Sequence, residues 1–516
     1  MDEPFNITDL FYQSAKNNPN KICLIDKHKK ITFAEFEGEI ASAASYFHKK
    51  GIQKGDRVLV LIPMSIDLYR TVLALFTLGA TAVFLDEWVS RKRMEECCKM
   101  AGCRAYVAGL KVRFFALFSS ELRKIPIHLG LHYKPNTERK HFPKVQKSDT
   151  ALITFTTGST GVPKASKRTH GSLHAQFKAL SEVIDLQEND ISMPALPVVL
   201  LLNLGLGVTS VITRLQSGKL SSFRPAMVAN QIIETGVNTI IGSPFFIKEL
   251  SKYVIKNNIQ LAIKSIFTGG APVFPHEAQT YIQAFRGARI KIVYGSTEAE
   301  PISSINANTL IQEKEGEFLR GLNVGEIDKN TLVKIISITN DPVVVEKEEN
   351  LTGLELTSGE IGEIIVSGPH VLREYVNNEN ASRQNKIFVG HDCWHRTGDS
   401  GYIGPNGNIY LTGRCSALIR LGEQIISPFT YEGYLQALEG VELGTVLLFR
   451  GSLSVVVELN DITQKTTVET AIRALPFPVE NVIFIRSIPR DPRHHSKIDY
   501  DKLKNIMIKH SLLINR

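Results

Sequence analysis

The chain has 516 residues, 43% of them hydrophobic and 22% charged, with a formal net charge of +8 from 60 basic and 52 acidic side chains. That length exceeds what one hydrophobic core organises, so several subdomains are expected, and the composition excludes a mostly disordered or collagen-like chain. The charges are scattered, without a long Lys/Arg block, which argues against nucleic-acid binding.

Met1, Asp2 and Glu3 open the chain without a following apolar run of the signal-peptide kind, so the cytoplasm is the expected compartment. A helix around Leu10, Phe11 and Ala15 leads to a strand pair at 22–26 and 30–33 and an amphipathic helix over 36–47. The run 58–62 is continuously apolar, as in a parallel strand buried on both faces, and the helix predicted over 66–77 ends at Gly79, which suits a C-terminal cap. Strand-like 80–85 and helical 95–101 continue the alternation. It resumes after Lys164 with a helix near 173–183, a strand at 237–241, a helix to Val254 and a strand at 265–268. Such alternation predicts doubly wound α/β layers, whose ligands sit at the carboxyl ends of strands.

Residues 194–212 carry no formal charge, but Pro194, Pro197, Gly205 and Gly207 interrupt them, so a buried strand-turn-helix is expected there rather than an integral membrane span. From about 327 to 413, short alternating runs with Gly and Asn turns predict a β-rich subdomain. Residues 414–516 mix strand and helix patterns as a separate α+β domain. The cysteines, Cys23, Cys97, Cys98, Cys103, Cys393 and Cys415, form no C-x-x-C pair and no zinc spacing, and are expected to be reduced, buried thiols.

A β-prone run, 151–155, feeds into Thr156, Thr157, Gly158, Ser159, Thr160 and Gly161, with Lys164 after them. Glycines let the backbone approach an oxygen cluster, hydroxyls and N–H groups donate, and the lysine adds a point charge, a pattern suited to polyphosphate. It is no Walker A loop, because Pro163 precedes Lys164 and Ala165 follows it. A Gly/Ser hairpin is the structural alternative. Three stretches after predicted strands add candidates. Gly269, Gly270, Ala271 and Pro272 expose backbone against which a flat base can press, or form an ordinary turn. Tyr294, Gly295, Ser296, Thr297 and Glu298 put an aromatic, hydroxyls and a carboxylate together, and one carboxylate with substrate phosphates is adequate for Mg²⁺. A capped helix start at Ser296 or Thr297 fits the same residues. At 395–399 a turn is expected to offer Asp399 to the vicinal hydroxyls of a ribose, although Thr397, Gly398 and Asp399 also make an unremarkable turn.

In order and spacing these motifs, followed by Gly413 and Arg414, resemble the adenylate-forming, AMP-binding superfamily of acyl-CoA synthetases, luciferases and peptide-synthetase adenylation domains over essentially the whole chain. The resemblance implies an N-terminal adenylation domain, 1–413, and a small mobile C-terminal lid domain, 414–516. It implies ATP and Mg²⁺ as well: Thr156 to Gly161 and Lys164 on the phosphates, Gly270, Ala271, Pro272 and Tyr294 on adenine, and Gly295 among the nucleotide-binding residues. Thr297 is then at the α-phosphate, Glu298 on the metal, Asp399 on the ribose and Arg414 near ribose and phosphate. Lys497 matches the family's mobile lysine, which bridges the carboxylate and α-phosphate, so that Lys164, Thr297 and Lys497 carry catalytic roles. Departures are Ala165 and Ser496, where relatives usually carry glycine, Ser416 at the hinge, and a shortened loop to Gly422.

The strings at 206–211, 270–273, 294–299, 333–336, 394–399 and 492–498 look most like the β-lactone synthetases of olefin biosynthesis and their fatty-acyl relatives. This implies adenylation of an apolar, long-chain carboxylic acid. The apolar run 196–206 then lines the acyl pocket, at roughly 0.8 kcal/mol per buried methylene, or is simply core. The acyl-AMP next meets a thiol of CoA or of an acyl carrier, as in an acid-thiol ligase, or the substrate's own β-hydroxyl. A non-catalytic acyl- or nucleotide-binding homologue is a third reading. Relatives that make CoA thioesters often carry an aromatic-His pair where this chain has Val198 and Val199.

Overall fold

Continuous apolar runs bounded by glycine and proline become the inner strands of two large sheets. The computed structural model describes residues 3–27, 29–85, 91–116, 118–131, 142–157, 163–214, 223–313, 321–422, 424–475, 479–490 and 498–514, with backbone alone for 91–92, 115, 156–157 and 509–514. Among the described residues one sheet has six strands, in the order Ile127–Leu129, Ala105–Ala108, Arg57–Leu61, Thr81–Phe84, Thr150–Thr157 and Pro163–Thr169. Neighbours are parallel except the last pair, a hairpin that sets Thr156 opposite Lys164 and Thr157 opposite Pro163.

The other large sheet has fourteen strands among the described residues. Ile22–Asp26, Thr209–Val211, Ile191–Pro194, Thr239–Gly242, Ser265–Gly269 and Arg289–Ser296 follow one another in parallel. From Arg289–Ser296 onward the pairing is antiparallel, through Ala299–Asn306, Leu322–Ile327, Asn408–Arg414, Asp392–Ile403, Gly362–Ser367 and Leu332–Ile336. The sheet therefore changes character at the strand that carries Tyr294.

Helices over the parallel half begin on proline. Pro197–Gly205, Pro225–Thr235, Pro244–Lys256 and Pro275–Ala284 each carry it in the first turn, where the missing N–H loses no hydrogen bond. The apolar faces of the last three close a core around Phe246, Ile247, Leu250, Ile266 and Tyr281, whereas Leu200 and Leu204 of the first pack into a second core. Phe11, Phe33, Phe36, Phe47 and Leu75 fill that second core against the six-stranded sheet. Toward the C-terminus, Val441–Phe449, Ser452–Leu459 and Asn481–Phe484 form a small sheet with its own core around Leu435, Val446 and Ile472.

The doubly wound α/β class expected from the alternation is the one observed. The helix expected at 36–47 is longer, Phe33–Lys49, because Thr32 and Glu35 form a capping box: Glu35 N donates to Thr32 Oγ1 at 3.2 Å and Thr32 N to Glu35 Oε2 at 2.8 Å. The helix Ile66–Thr77 has the expected bounds, and Gly79 follows at φ 67°. The uncharged stretch is strand Ile191–Pro194, helix Pro197–Gly205 and strand Thr209–Val211; among the described residues no helix is long and apolar enough to cross a membrane. All six cysteines are free, four of them buried. Burial pushes the Cys98 and Cys103 thiols up to about 12.

Candidate active site

The carboxyl ends of Ser265–Gly269 and Arg289–Ser296 lie side by side, with Gly269 paired to Val293. A Cβ on Gly269 would meet the Val293 carbonyl oxygen at 2.4 Å, so glycine is what lets the two strands close here. Gly270 follows at φ 87° and turns the chain into half-buried Ala271 and Pro272. At the same ends two buried hydroxyls, Thr268 Oγ1 and Ser296 Oγ, have no partner among the described residues.

Ser296 pairs with Ala299, which makes Thr297 and Glu298 the two-residue turn of a hairpin instead of a helix start. The reason is that 299–306 is itself a strand and returns along Arg289–Ser296. Contacts from two other segments hold this turn. Buried Arg168 donates from Nη2 to the Thr297 carbonyl at 2.6 Å and from Nη1 to Thr154 Oγ1 at 2.9 Å. The Leu372 N–H donates to the Glu298 carbonyl at 2.8 Å, and Tyr375 Oη donates to Glu298 Oε1 at 3.1 Å.

Asp399 lies inside the strand Asp392–Ile403, not in a free turn. Gly398 at φ 70° interrupts the pairing with Gly362–Ser367, and the Asp399 N–H donates to Thr397 Oγ1 at 3.0 Å. The Asp399 carboxylate joins two other candidates: Tyr294 Oη donates to Oδ2 at 2.8 Å, and Arg414 Nη1 lies 3.0 Å from Oδ1. Burial, with Asp399 beside it, holds the Tyr294 phenol well above its usual range, so the hydroxyl remains a donor.

Lys164 reaches this group from the six-stranded sheet. Its Nζ donates to Asn385 Oδ1 at 3.3 Å and lies 5.6 Å from the Tyr375 ring centroid. Burial holds the ammonium below the usual lysine range, opposed by Glu298 and reinforced by Arg414. Ala165, where the resemblance expects glycine, is buried in core, and its carbonyl accepts from the Val376 N–H at 2.9 Å.

The structure thus brings together Tyr294, Thr297, Glu298, Asp399, Arg414 and Lys164, with Gly270, Ala271 and Pro272 on the adjacent strand end. Thr156 and Thr157 are described as backbone of the strand entering the hairpin. Gly158, Ser159, Thr160, Gly161 and Lys497 lie outside the described residues. In the apolar run 196–206, Leu200, Leu202 and Leu204 are core, whereas Leu196, Val198, Val199 and Leu201 are half-buried. Sequence reasoning missed Arg168, Tyr375, Asn385 and Lys386, the last of which lies with its Nζ 5.6 Å from the Tyr375 ring centroid. Lys386 had a readable signal, a lysine opening an otherwise apolar strand. Tyr375 had none, because its link to Glu298 spans 77 positions.

A family model described as "AMP-binding enzyme" matches residues 11–376. The chain belongs to this family. As an AMP-binding enzyme it is an AMP-forming ligase. It is similar to the olefin β-lactone synthetase of Xanthomonas campestris pv. campestris, 27% identical over 512 residues that cover 92% of this chain and 90% of that protein. It is also similar to a feruloyl-CoA synthase of an Amycolatopsis species, 26% identical over 439 residues, covering 84% and 83%. In fold this AMP-binding enzyme resembles O-succinylbenzoate coenzyme A synthetase from Bacillus subtilis, solved in complex with ATP and magnesium ion. The TM-score is 0.79 at 22% identity, over 98% of this chain and 100% of that one.

Proposed function

We propose that this enzyme adenylates an apolar, long-chain carboxylic acid with ATP, releasing pyrophosphate, and then transfers the acyl group to a thiol. The observation that carries this reading is the Asp399 carboxylate shared by Tyr294 and Arg414 at the strand ends, with Glu298 and Lys164 linked through Tyr375. An aromatic, an acceptor for a diol, two cations and a carboxylate for a hard metal suit a magnesium nucleotide. The unpartnered Thr268 and Ser296 hydroxyls supply further donors.

In this reading Tyr294, Gly295, Gly270, Ala271 and Pro272 bind the base, Asp399 and Arg414 the ribose, and Thr156 to Gly161, Lys164 and Thr297 the phosphates. Glu298 holds Mg²⁺, which when bound offsets phosphate charge. Lys497, from the C-terminal lid domain 414–516, adds the last positive charge of the first step. A carboxylate oxygen of the acid forms a bond to the α-phosphorus, and the bond to pyrophosphate breaks with its electron pair on pyrophosphate. The sulfur of a CoA or carrier thiol, its proton passing to solvent, then attacks the acyl carbon, and AMP departs with the electron pair of the broken C–O bond.

A second acceptor is favoured by one observation, the similarity to an olefin β-lactone synthetase over 92% of this chain. In that case the substrate's own β-hydroxyl oxygen attacks the acyl carbon, loses its proton to solvent, and closes a lactone as AMP leaves. Mass spectrometry of products from a long-chain β-hydroxy acid with ATP and Mg²⁺, with and without CoA, separates the two. Thioester that forms only with CoA supports the thiol ligase, lactone without CoA supports the second acceptor, and no pyrophosphate across several acids overturns both.

A further inference from the structure

Lys386 opens the strand Lys386–Val389 and is only 3% exposed. A buried ammonium is costly unless its surroundings compensate it. Its Nζ donates to the Leu372 carbonyl and lies 5.6 Å from the Tyr375 ring centroid, the same ring that Lys164 approaches at 5.6 Å. Both contacts of Lys386 continue to Glu298. Leu372 gives its N–H to the Glu298 carbonyl at 2.8 Å, and Tyr375 gives its hydroxyl proton to Glu298 Oε1 at 3.1 Å. A cation against a phenol ring also polarises it, which strengthens the hydrogen bond that its O–H donates.

We propose that Lys386 is a positioning residue for the cation site at Glu298, acting through Leu372 and Tyr375. The inference rests on the reading of Glu298 as the magnesium carboxylate. Lys386 ties down the 372–375 segment by its carbonyl and its ring, and that segment fixes both the backbone and the carboxylate of Glu298. Without the anchor, the carboxylate loses a preorganised orientation that metal binding must then restore.

The test uses Mn²⁺ as the probe, its free signal followed by electron paramagnetic resonance in the presence of the non-hydrolysable α,β-methylene analogue of ATP. Lys386→Met and Tyr375→Phe are expected to bind Mn²⁺ about 10-fold more weakly, the scale of one hydrogen bond to a charged group. Lys386→Arg, which keeps the charge and a donor, is expected to recover most of the loss. AMP binding without metal serves as the control for folding. If Lys386→Met fails that control, Tyr375→Phe decides, because it removes one oxygen and leaves the ring. Wild-type Mn²⁺ affinity in folded Lys386→Met or Tyr375→Phe, with Glu298→Gln weakened, overturns the positioning role alone. Unchanged affinity in Glu298→Gln overturns the magnesium reading and this inference with it.

Discussion

Asp399 is met by Tyr294 from one strand and Arg414 from another, so its removal leaves both without their carboxylate. Asp399→Ala is expected to lower kcat/KM in ATP–pyrophosphate exchange about 100-fold and Tyr294→Phe about 10-fold, since hydrogen bonds to charged groups contribute roughly 1.5–3 kcal/mol each. Wild-type exchange in Asp399→Ala would remove the ribose assignment. Arg168 is the residue that braces Thr297, and it does so while buried. Arg168→Met, which leaves the Thr297 carbonyl without this donor, is expected to cost about 1–3 kcal/mol in urea unfolding and to lower exchange as well. The chemical types at Tyr294, Glu298 and Asp399 were legible because each sits in a short string of suggestive neighbours. Arg168 was not, because its Thr297 partner is 129 positions away.

Two strands that approach as closely as Ser265–Gly269 and Arg289–Ser296 depend on the missing side chain at Gly269. Gly269→Ala places a Cβ 2.4 Å from the Val293 carbonyl oxygen and is expected to destabilise by about 1–3 kcal/mol, the usual cost of overpacking. Unfolding at the wild-type urea midpoint would show that the strands separate freely. The strand carrying Asp399 is anchored by a buried pair, Arg396 Nη2 to Glu363 Oε2 at 2.5 Å, each side chain 5% exposed. Arg396 Nη1 also donates to the Asp341 carbonyl at 2.8 Å, and the Gly398 N–H donates to Glu363 Oε1 at 3.3 Å. Arg396→Met therefore strands a buried carboxylate beside the site, and is expected to cost about 3–5 kcal/mol. Breaking the half-exposed Arg473–Glu469 pair is expected to cost at most about 1 kcal/mol. Comparing the two denaturation midpoints checks the contrast. At this scale the strand-helix alternation was readable, whereas the hairpin turn at Thr297 and Glu298 was not, since the residues that form it resemble a helix cap.

His170 is a point where separate parts of the molecule meet. Its Nδ1 accepts from the Ile7 N–H at 3.1 Å, and its ring lies 5.7 Å from that of Phe76. Burial holds the fully enclosed imidazole down to about 4, opposed by Asp149 and reinforced by Lys54. The unfolded chain, titrating near 6.5, takes up a proton that the folded chain refuses. Stability from this group is thus complete above about pH 6.5 and is lost as pH falls toward 4, by up to about 3 kcal/mol. Urea midpoints at about pH 7 and about pH 5 are expected to show the fall, and His170→Gln to shrink it. An undiminished fall in that variant would assign the pH dependence to other groups, of which His395 is shifted in the same direction.

The sequence by itself determined the α/β class, the helix Ile66–Thr77 to the residue, and the chemical identity of the candidate nucleotide contacts. These rest on periodicity, caps and short strings, in which cause and effect are neighbours along the chain. Only the tertiary structure decided that Asp399 unites Tyr294 with Arg414, and that Lys164 and Lys386 approach one tyrosine ring from different strands. Strand pairing and the compensation of buried charge join residues far apart in sequence, and no local pattern states which of them will meet.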